Sequence, residues 1–121
     1  MTDAGNVPPV SGGSTYFLSE EQIATLSAQA SAGDSASAFR LYKFYIFSNF
    51  DSKKANSWLE IAARNGNAVA QYNLAKILQQ ENKYAEALCW AHAADSNGES
   101  GASQLADELE RQIKATNSNG R

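Results

Sequence analysis

Ala62-Ala63-Arg64-Asn65-Gly66 recurs as Ala94-Asp95-Ser96-Asn97-Gly98, and this recurrence decides what fold the sequence predicts. The two stretches align under a shift of 32 residues, which also places Trp58 on Trp90. The same shift superposes further small residues, namely Ala36 on Ala68, Ala38 on Ala70 and Ala55 on Ala87. A period in the thirties is typical of helical solenoids, because each unit can bury its apolar face only against the next unit. The sequence therefore predicts an all-α fold of stacked antiparallel helix pairs.

Start and stop signals divide the chain into about six helices. Ser19 and Gln22 have the spacing of a capping box, and Gly33 suits the left-handed position that follows a helix. No segment alternates with the period of a strand, so no sheet is predicted. The six predicted helices run from about Glu20 to Ala32, from the cap Asp34 to Asn49, from the cap Asp51 to Asn65, from Ala68 (after the cap Asn67) to Glu81, from Lys83 to Ser96 and from Ser100 to Ala115.

The length of 121 residues accommodates one domain. We predict a helical repeat domain over residues 18–115, preceded by a flexible Gly/Pro/Ser-rich tether over 1–17 and followed by a frayed tail over 116–121. The composition of the tether does not identify the cellular compartment of the protein. The chain as given predicts a cytoplasmic protein, whereas a removed export signal or lipid anchor would make it periplasmic or lipid-anchored.

Charge and cysteine content exclude several classes of function. A net charge of −3, with no cluster of cations beyond Lys53-Lys54, argues against nucleic-acid binding. No apolar run approaches the length of a membrane span. Cys89 is the single cysteine, so no internal disulfide can form.

The stretch over residues 54–75 resembles a known repeat family. Lys54-Ala55, Trp58-Leu59, Ala62-Ala63, Gly66-Asn67-Ala68 and Ala70-Gln71-Tyr72-Asn73-Leu74-Ala75 are similar to the SEL-one-like (SLR) repeat, a branch of the tetratricopeptide (TPR-like) superfamily. The resemblance is weaker over residues 83–109, and Ala75 stands where the family has a glycine. It implies a right-handed superhelix that acts as an adaptor without catalysis of its own.

Candidate chemistry is sparse. Cys89 and His92 lie three residues apart on one predicted helix, but no second Cys or His completes a four-ligand metal site. Their repeat equivalents are Ser57 and Glu60, which are ordinary residues for a helix surface. We therefore predict no catalytic residues, no metal and no cofactor, and hence a protein that is not an enzyme.

The second helix is the candidate binding element, because it is aromatic where the fourth helix is polar. Repeat register aligns its Phe39, Leu41 and Phe44 with the polar Gln71, Asn73 and Lys76. Large exposed apolar surfaces usually mark interfaces. We predict that the two helices offer one continuous partner-binding face, composed of Phe39, Arg40, Leu41, Phe44, Phe47, Tyr72, Asn73 and Lys76.

The sequence is compatible with several roles for the aromatic second helix. The face could hold a protein or peptide partner, as in an adaptor or an immunity-type protein, or it could drive homodimerisation of a structural subunit. The tether could instead fold back over the aromatic residues through Val10, Tyr16 and Phe17. A carrier of a small apolar ligand would need a cavity beneath Phe39, Phe44 and Trp58.

Overall fold

A computed structural model describes residues 16–119, and all its regular structure is helical. Consecutive helices along the chain pack against each other, so each inner helix lies between its two chain neighbours. Within residues 16–119, no helix combines the length and apolarity needed to cross a membrane. The helices are α1 (Glu20–Ser31), α2 (Ser35–Lys43), which continues as a π-helical turn (Phe44–Ser48), α3 (Ser52–Arg64), α4 (Ala68–Gln80), α5 (Tyr84–Ser96) and α6 (Ala102–Asn119).

The odd-numbered helices recur at the period that the sequence predicts. α1, α3 and α5 begin at residues 20, 52 and 84, which are two equal steps of 32, and α3 and α5 each contain 13 residues. Gly66 and Gly98 follow α3 and α5 with φ angles of 98° and 91°, a left-handed conformation that a side chain would strain. Trp58 and Trp90 are each the seventh residue of their helix and are both half-buried.

Side-chain caps fix where most helices begin. The predicted capping box of α1 is confirmed, since the Gln22 N–H donates to Ser19 Oγ at 3.1 Å and the Ser19 N–H donates to Gln22 Oε1 at 2.9 Å. Asp51 caps α3 by accepting the Lys54 N–H at 3.1 Å, and Asn67 caps α4 by accepting the Ala70 N–H at 2.8 Å. These caps satisfy backbone donors that a helix start leaves without partners.

One predicted helix changes type before its end, and one predicted boundary is wrong. The second helix does not continue as an α-helix to Asn49, because the backbone becomes π-helical at Phe44 and the Asn49 N–H bonds to the Phe44 carbonyl at 3.0 Å. The sixth helix begins at Ala102 and extends to Asn119, beyond the predicted end at Ala115. Most of the predicted tether lies outside the described residues, as do residues 120 and 121.

The core consists of two clusters of buried side chains. The first spans α1 to α4 and includes Leu41 and Leu59, both fully buried. The second lies between α4, α5 and α6 around Leu109. Leu74 and Trp90 pack against both clusters and so join them.

One buried polar side chain ties three helices together. Gln71 of α4 is only 5% exposed, and its Nε2 donates to the Ala63 carbonyl of α3 at 3.0 Å. Its Oε1 accepts from Asn97 Nδ2, at the end of α5, also at 3.0 Å. Gln71 thereby satisfies its own polar atoms while fixing the ends of the flanking helices.

We expect Gln71→Ala to lower the free energy of unfolding by about 1–3 kcal/mol, because it removes two hydrogen bonds, to the Ala63 carbonyl and from Asn97, each of which contributes about 0.5–1.5 kcal/mol. Urea denaturation followed by circular dichroism measures this loss. Gln80→Ala is the control, because Gln80 is exposed in the same helix and its replacement should change stability by less than about 0.5 kcal/mol. Equal losses of stability from the two substitutions would show that the hydrogen bonds of Gln71 do not stabilise the fold.

Candidate partner-binding surface

Burial divides the predicted binding residues. Arg40, Phe47 and Lys76 are exposed, and Phe39, Tyr72 and Asn73 are half-buried. The expectation that Leu41 and Phe44 are exposed is wrong, since they are 0% and 8% exposed. Both belong to the first core cluster because α2 is packed between α1 and α3, with Leu18 in the same cluster.

A stacked array of side chains runs from α2 to α4. The rings of Phe39 and Tyr42 stack with their centroids 5.4 Å apart, and Lys43 Nζ lies 5.2 Å from the centroid of the Phe39 ring. Tyr42 then lies beside the side chain of Asn73 of α4. Burial raises the pKa of Tyr42, and the polar side chain of Asn73 acts in the opposite direction. Phe39 and Asn73, both predicted for the surface, are thus connected through Tyr42.

Arg40 faces α1 rather than α4. It lines a cleft of about 380 Å³ between α1 and α2, with Glu21, Gln22, Thr25, Leu26 and Gln29. It also lines a smaller cleft of about 90 Å³ with Tyr16, Leu18 and Lys43. Among residues 16–119 neither Arg40 nor Lys43 forms an ion pair. A carboxylate could therefore bind between these two cations without displacing an existing partner.

The α4 residues of the predicted face have different neighbours. Tyr72 lies beside Gly101, just before α6. If Gly101 carried a side chain, its Cβ atom would be 3.7 Å from the Tyr72 hydroxyl oxygen. Lys76 is exposed, and within the described part of the chain it has no ion-pair partner. No described contact joins Arg40 to Tyr72, so a continuous face through both stays a prediction.

A group of exposed aromatic side chains, which we call the aromatic end, lies where α1 begins and α2 ends. It consists of Phe17, Phe47 and Phe50, which are 61%, 48% and 82% exposed. The Tyr16 and Phe47 rings lie 4.8 Å apart at a tilt of 35°, and Phe17 meets the buried Phe44 edge-on at 6.3 Å. Tyr16 and Phe17 thus contact two of the aromatics, but Phe47 stays 48% exposed and Val10 lies outside the described residues, so covering of the aromatic face by the N-terminal segment stays a prediction.

Phe50 adopts a conformation that its residue type disfavours. Its φ angle is 53°, in the left-handed region where bulky side chains are rare. The residue one repeat later is Asn82, with φ 63°, and asparagine tolerates this conformation. Phe50 is absent from the binding face that the sequence predicts. The repeat alignment of Phe50 with Asn82, a residue type common in exposed turns before a helix, is the signal that could have identified it as exposed.

The two residues considered for chemistry are exposed on α5. Cys89 is a free thiol, and His92 Nε2 lies 3.9 Å from Glu110 Oε2 of α6. Over residues 16–119, no group of three or more His, Cys, Asp or Glu side chains is arranged to hold a metal ion. The expectation of no metal and no catalysis stays a prediction.

Comparison with known proteins finds a bacterial relative. The chain is 34% identical over 104 residues to a protein of Escherichia coli (strain K12) named "Uncharacterized protein YibG", and the match covers 80% of this chain and 68% of the relative. No family model matches the chain, and no solved structure matches it.

Proposed function

This chain belongs to the family of the Escherichia coli protein YibG, and we propose that it is a non-catalytic protein-protein interaction module. We propose further that its helices form a solenoid of antiparallel pairs of the SEL-one-like, TPR-like kind. The equal spacing of α1, α3 and α5 and the packing of each helix on its chain neighbours support this architecture. Solenoids of this kind expose an extended surface on which other proteins bind.

The partner-binding face comprises the accessible residues of α2 and α4. The observation that carries this assignment is the array of Lys43, Phe39, Tyr42 and Asn73, in which ring stacking on α2 continues to a polar neighbour on α4. Aromatic residues and arginine dominate binding hot spots because they combine large contact areas with polar groups. Leu41 and Phe44 support the face from the core and do not contact the partner.

Site-specific photo-cross-linking tests this face. A photoreactive residue at Lys76 should cross-link one defined protein in cells of the native organism, whereas the same residue at Glu108 on α6 should not. Adding Arg40→Glu should reduce the cross-linked product at least about tenfold without changing the helical signal, because Arg40 is exposed. Equal cross-linking from Lys76 and Glu108 would place the partner elsewhere.

The alternative function is that of a structural subunit that homodimerises. The exposure of Phe17, Phe47 and Phe50 favours self-association as well, because soluble monomers rarely expose several large apolar side chains together. This surface lies at the end of α2, whereas the partner-binding face runs from α2 to α4. The two activities are therefore compatible in one molecule.

A further inference from the structure

We infer that the aromatic end is a two-fold homodimer interface, in which a second copy of this chain packs Phe17, Phe47 and Phe50 against the same residues. This interface is separate from the partner-binding face proposed above. The assignment depends on how three helix ends are arranged, on charges that complement each other across a two-fold axis, and on local features that a monomer does not explain.

Three helix ends meet at this surface, with α2 in the middle. The contacts of Tyr16 with Phe47 and of Phe17 with Phe44 place the start of α1 beside the end of α2. On the other side, the Asp51 N–H donates to the Tyr45 carbonyl at 2.7 Å, which places the start of α3 beside the end of α2. Phe17 precedes α1 and Phe50 precedes α3, so exposed aromatics flank Phe47 from both sides.

The charges beside the aromatic end have opposite signs on its two sides. Glu20 and Glu21 begin α1, whereas Lys53 and Lys54 begin α3. All four are exposed, and none forms an ion pair with another residue in the described part of the chain. A two-fold axis through the end of α2 exchanges α1 with α3, and so brings the glutamates of one copy opposite the lysines of the other. The surface is therefore complementary to itself.

The other charged groups nearby do not cancel this pattern. Asp51 is occupied as the cap of α3 by the Lys54 N–H, and Lys43 lies over the Phe39 ring. Arg40 lines the cleft between α1 and α2 together with Glu21, but the two side chains form no ion pair. A surface that carries both signs fits a second copy of itself better than it fits a strongly acidic or strongly basic peptide.

Local features at this end are unfavourable for an isolated monomer. Lys53 and Lys54 lie in the first turn of α3, where the helix dipole disfavours cations. Lys54 Nζ lies 5.6 Å from the centroid of the Tyr45 ring, whereas no ion pair or ring contact compensates Lys53 in the described part of the chain. Phe50 holds an exposed ring in a left-handed conformation that its repeat equivalent Asn82 adopts more easily. Such departures from local preference concentrate at functional sites. A dimer interface accounts for both, since it buries the ring and pairs the lysines.

Sedimentation velocity of the full chain tests the proposal. Between about 1 and 300 µM the chain should shift from monomer towards dimer. Phe50→Asn should raise the dissociation constant at least about tenfold, while the thermal stability of the monomer stays equal or increases because backbone strain is relieved. A full chain that stays monomeric over the whole range would overturn the proposal and leave another protein or residues 1–15 as the occupant.

A charge-exchange experiment tests the two-fold arrangement. One variant carries Glu20→Lys with Glu21→Lys, and a second carries Lys53→Glu with Lys54→Glu. Each alone should dimerise at least about tenfold more weakly, because like charges then face each other. An equal mixture should recover a heterodimer, since one variant then carries only cations at this surface and the other only carboxylates.

Control substitutions separate this interface from general charge effects. Asp107→Lys with Glu108→Lys, which are exposed on α6, should leave the dissociation constant unchanged. A mixture of the two charge variants that stays monomeric would overturn the two-fold arrangement. If the chain dimerises but a photoreactive residue at Lys76 cross-links no protein, the result would count against the proposed function and not against the dimer interface.

Discussion

Replacing Phe44 by aspartate should abolish cooperative folding of the domain. Phe44 is 8% exposed, and its ring lies edge-on to Tyr45 at 4.8 Å and to Phe17 at 6.3 Å. A carboxylate there would lie among the apolar side chains of the first core cluster, and burying a charge in such surroundings costs more than a small domain can supply. Circular dichroism during heating should show no sigmoidal transition, and amide protons of α2 should exchange rapidly.

Phe50→Asp is the matched control. Phe50 lies six residues further along the chain and is 82% exposed, and aspartate adopts its left-handed conformation more readily than phenylalanine does. The variant should unfold cooperatively, with a free energy of unfolding within about 0.5 kcal/mol of the original or above it. A folded Phe44→Asp protein would show that the end of α2 is exposed in solution and that the predicted binding face includes Phe44 after all.

The helix pattern could be predicted from the sequence because it depends on local signals. The Ser19–Gln22 capping box and the glycines at 66 and 98 act within one turn of the backbone, so the residue types alone identify the ends. The period of 32 predicts that Trp58 and Trp90 are equivalent, and each is the seventh residue of its helix, although only Trp90 packs against both core clusters. Each of the six helices over residues 16–119 overlaps one that the sequence predicts.

The accessibility of the α2 residues could not be predicted in the same way. Repeat register compares Leu41 with Asn73, but it carries no information about what covers each helix. Leu41 is buried because α1, α3 and Leu18 enclose it. From Phe44 onwards the π-helical turn also changes the direction of each side chain relative to α4, so the alignment of Phe44 with Lys76 no longer implies an equivalent face.

The exposed surface at Phe50 depends on a backbone conformation rather than on a pattern of residue types. A left-handed φ angle is expected for Asn82 but not for a phenylalanine, so the sequence predicts the helix boundary without predicting the strained conformation. Only the folded chain shows that Phe17, Phe47 and Phe50 gather at one end, because residues 17 and 47 are brought together by the packing of α1 on α2.

Replacing Trp90 by alanine should lower the free energy of unfolding by about 3 kcal/mol, at the lower end of the range for a tryptophan in a core because the ring is only half-buried. Trp90 packs against both core clusters, so its removal leaves a void between them and weakens the coupling of α5 and α6 to the rest. Urea denaturation should show a lower midpoint. Hydrogen exchange should show α6 opening before α2.

Trp58→Ala is the natural comparison, because Trp58 is the repeat equivalent of Trp90 but packs only against the first cluster. The sequence predicts a loss of about 3–5 kcal/mol if the Trp58 ring is buried and less than about 1 kcal/mol if it is at the surface. The ring is half-buried, so we now expect about 2 kcal/mol, with α2 and α6 opening together. If Trp58→Ala were the more damaging of the two, contact with both clusters would not be what determines the loss, and Leu74 would be the next side chain to test, since it also contacts both.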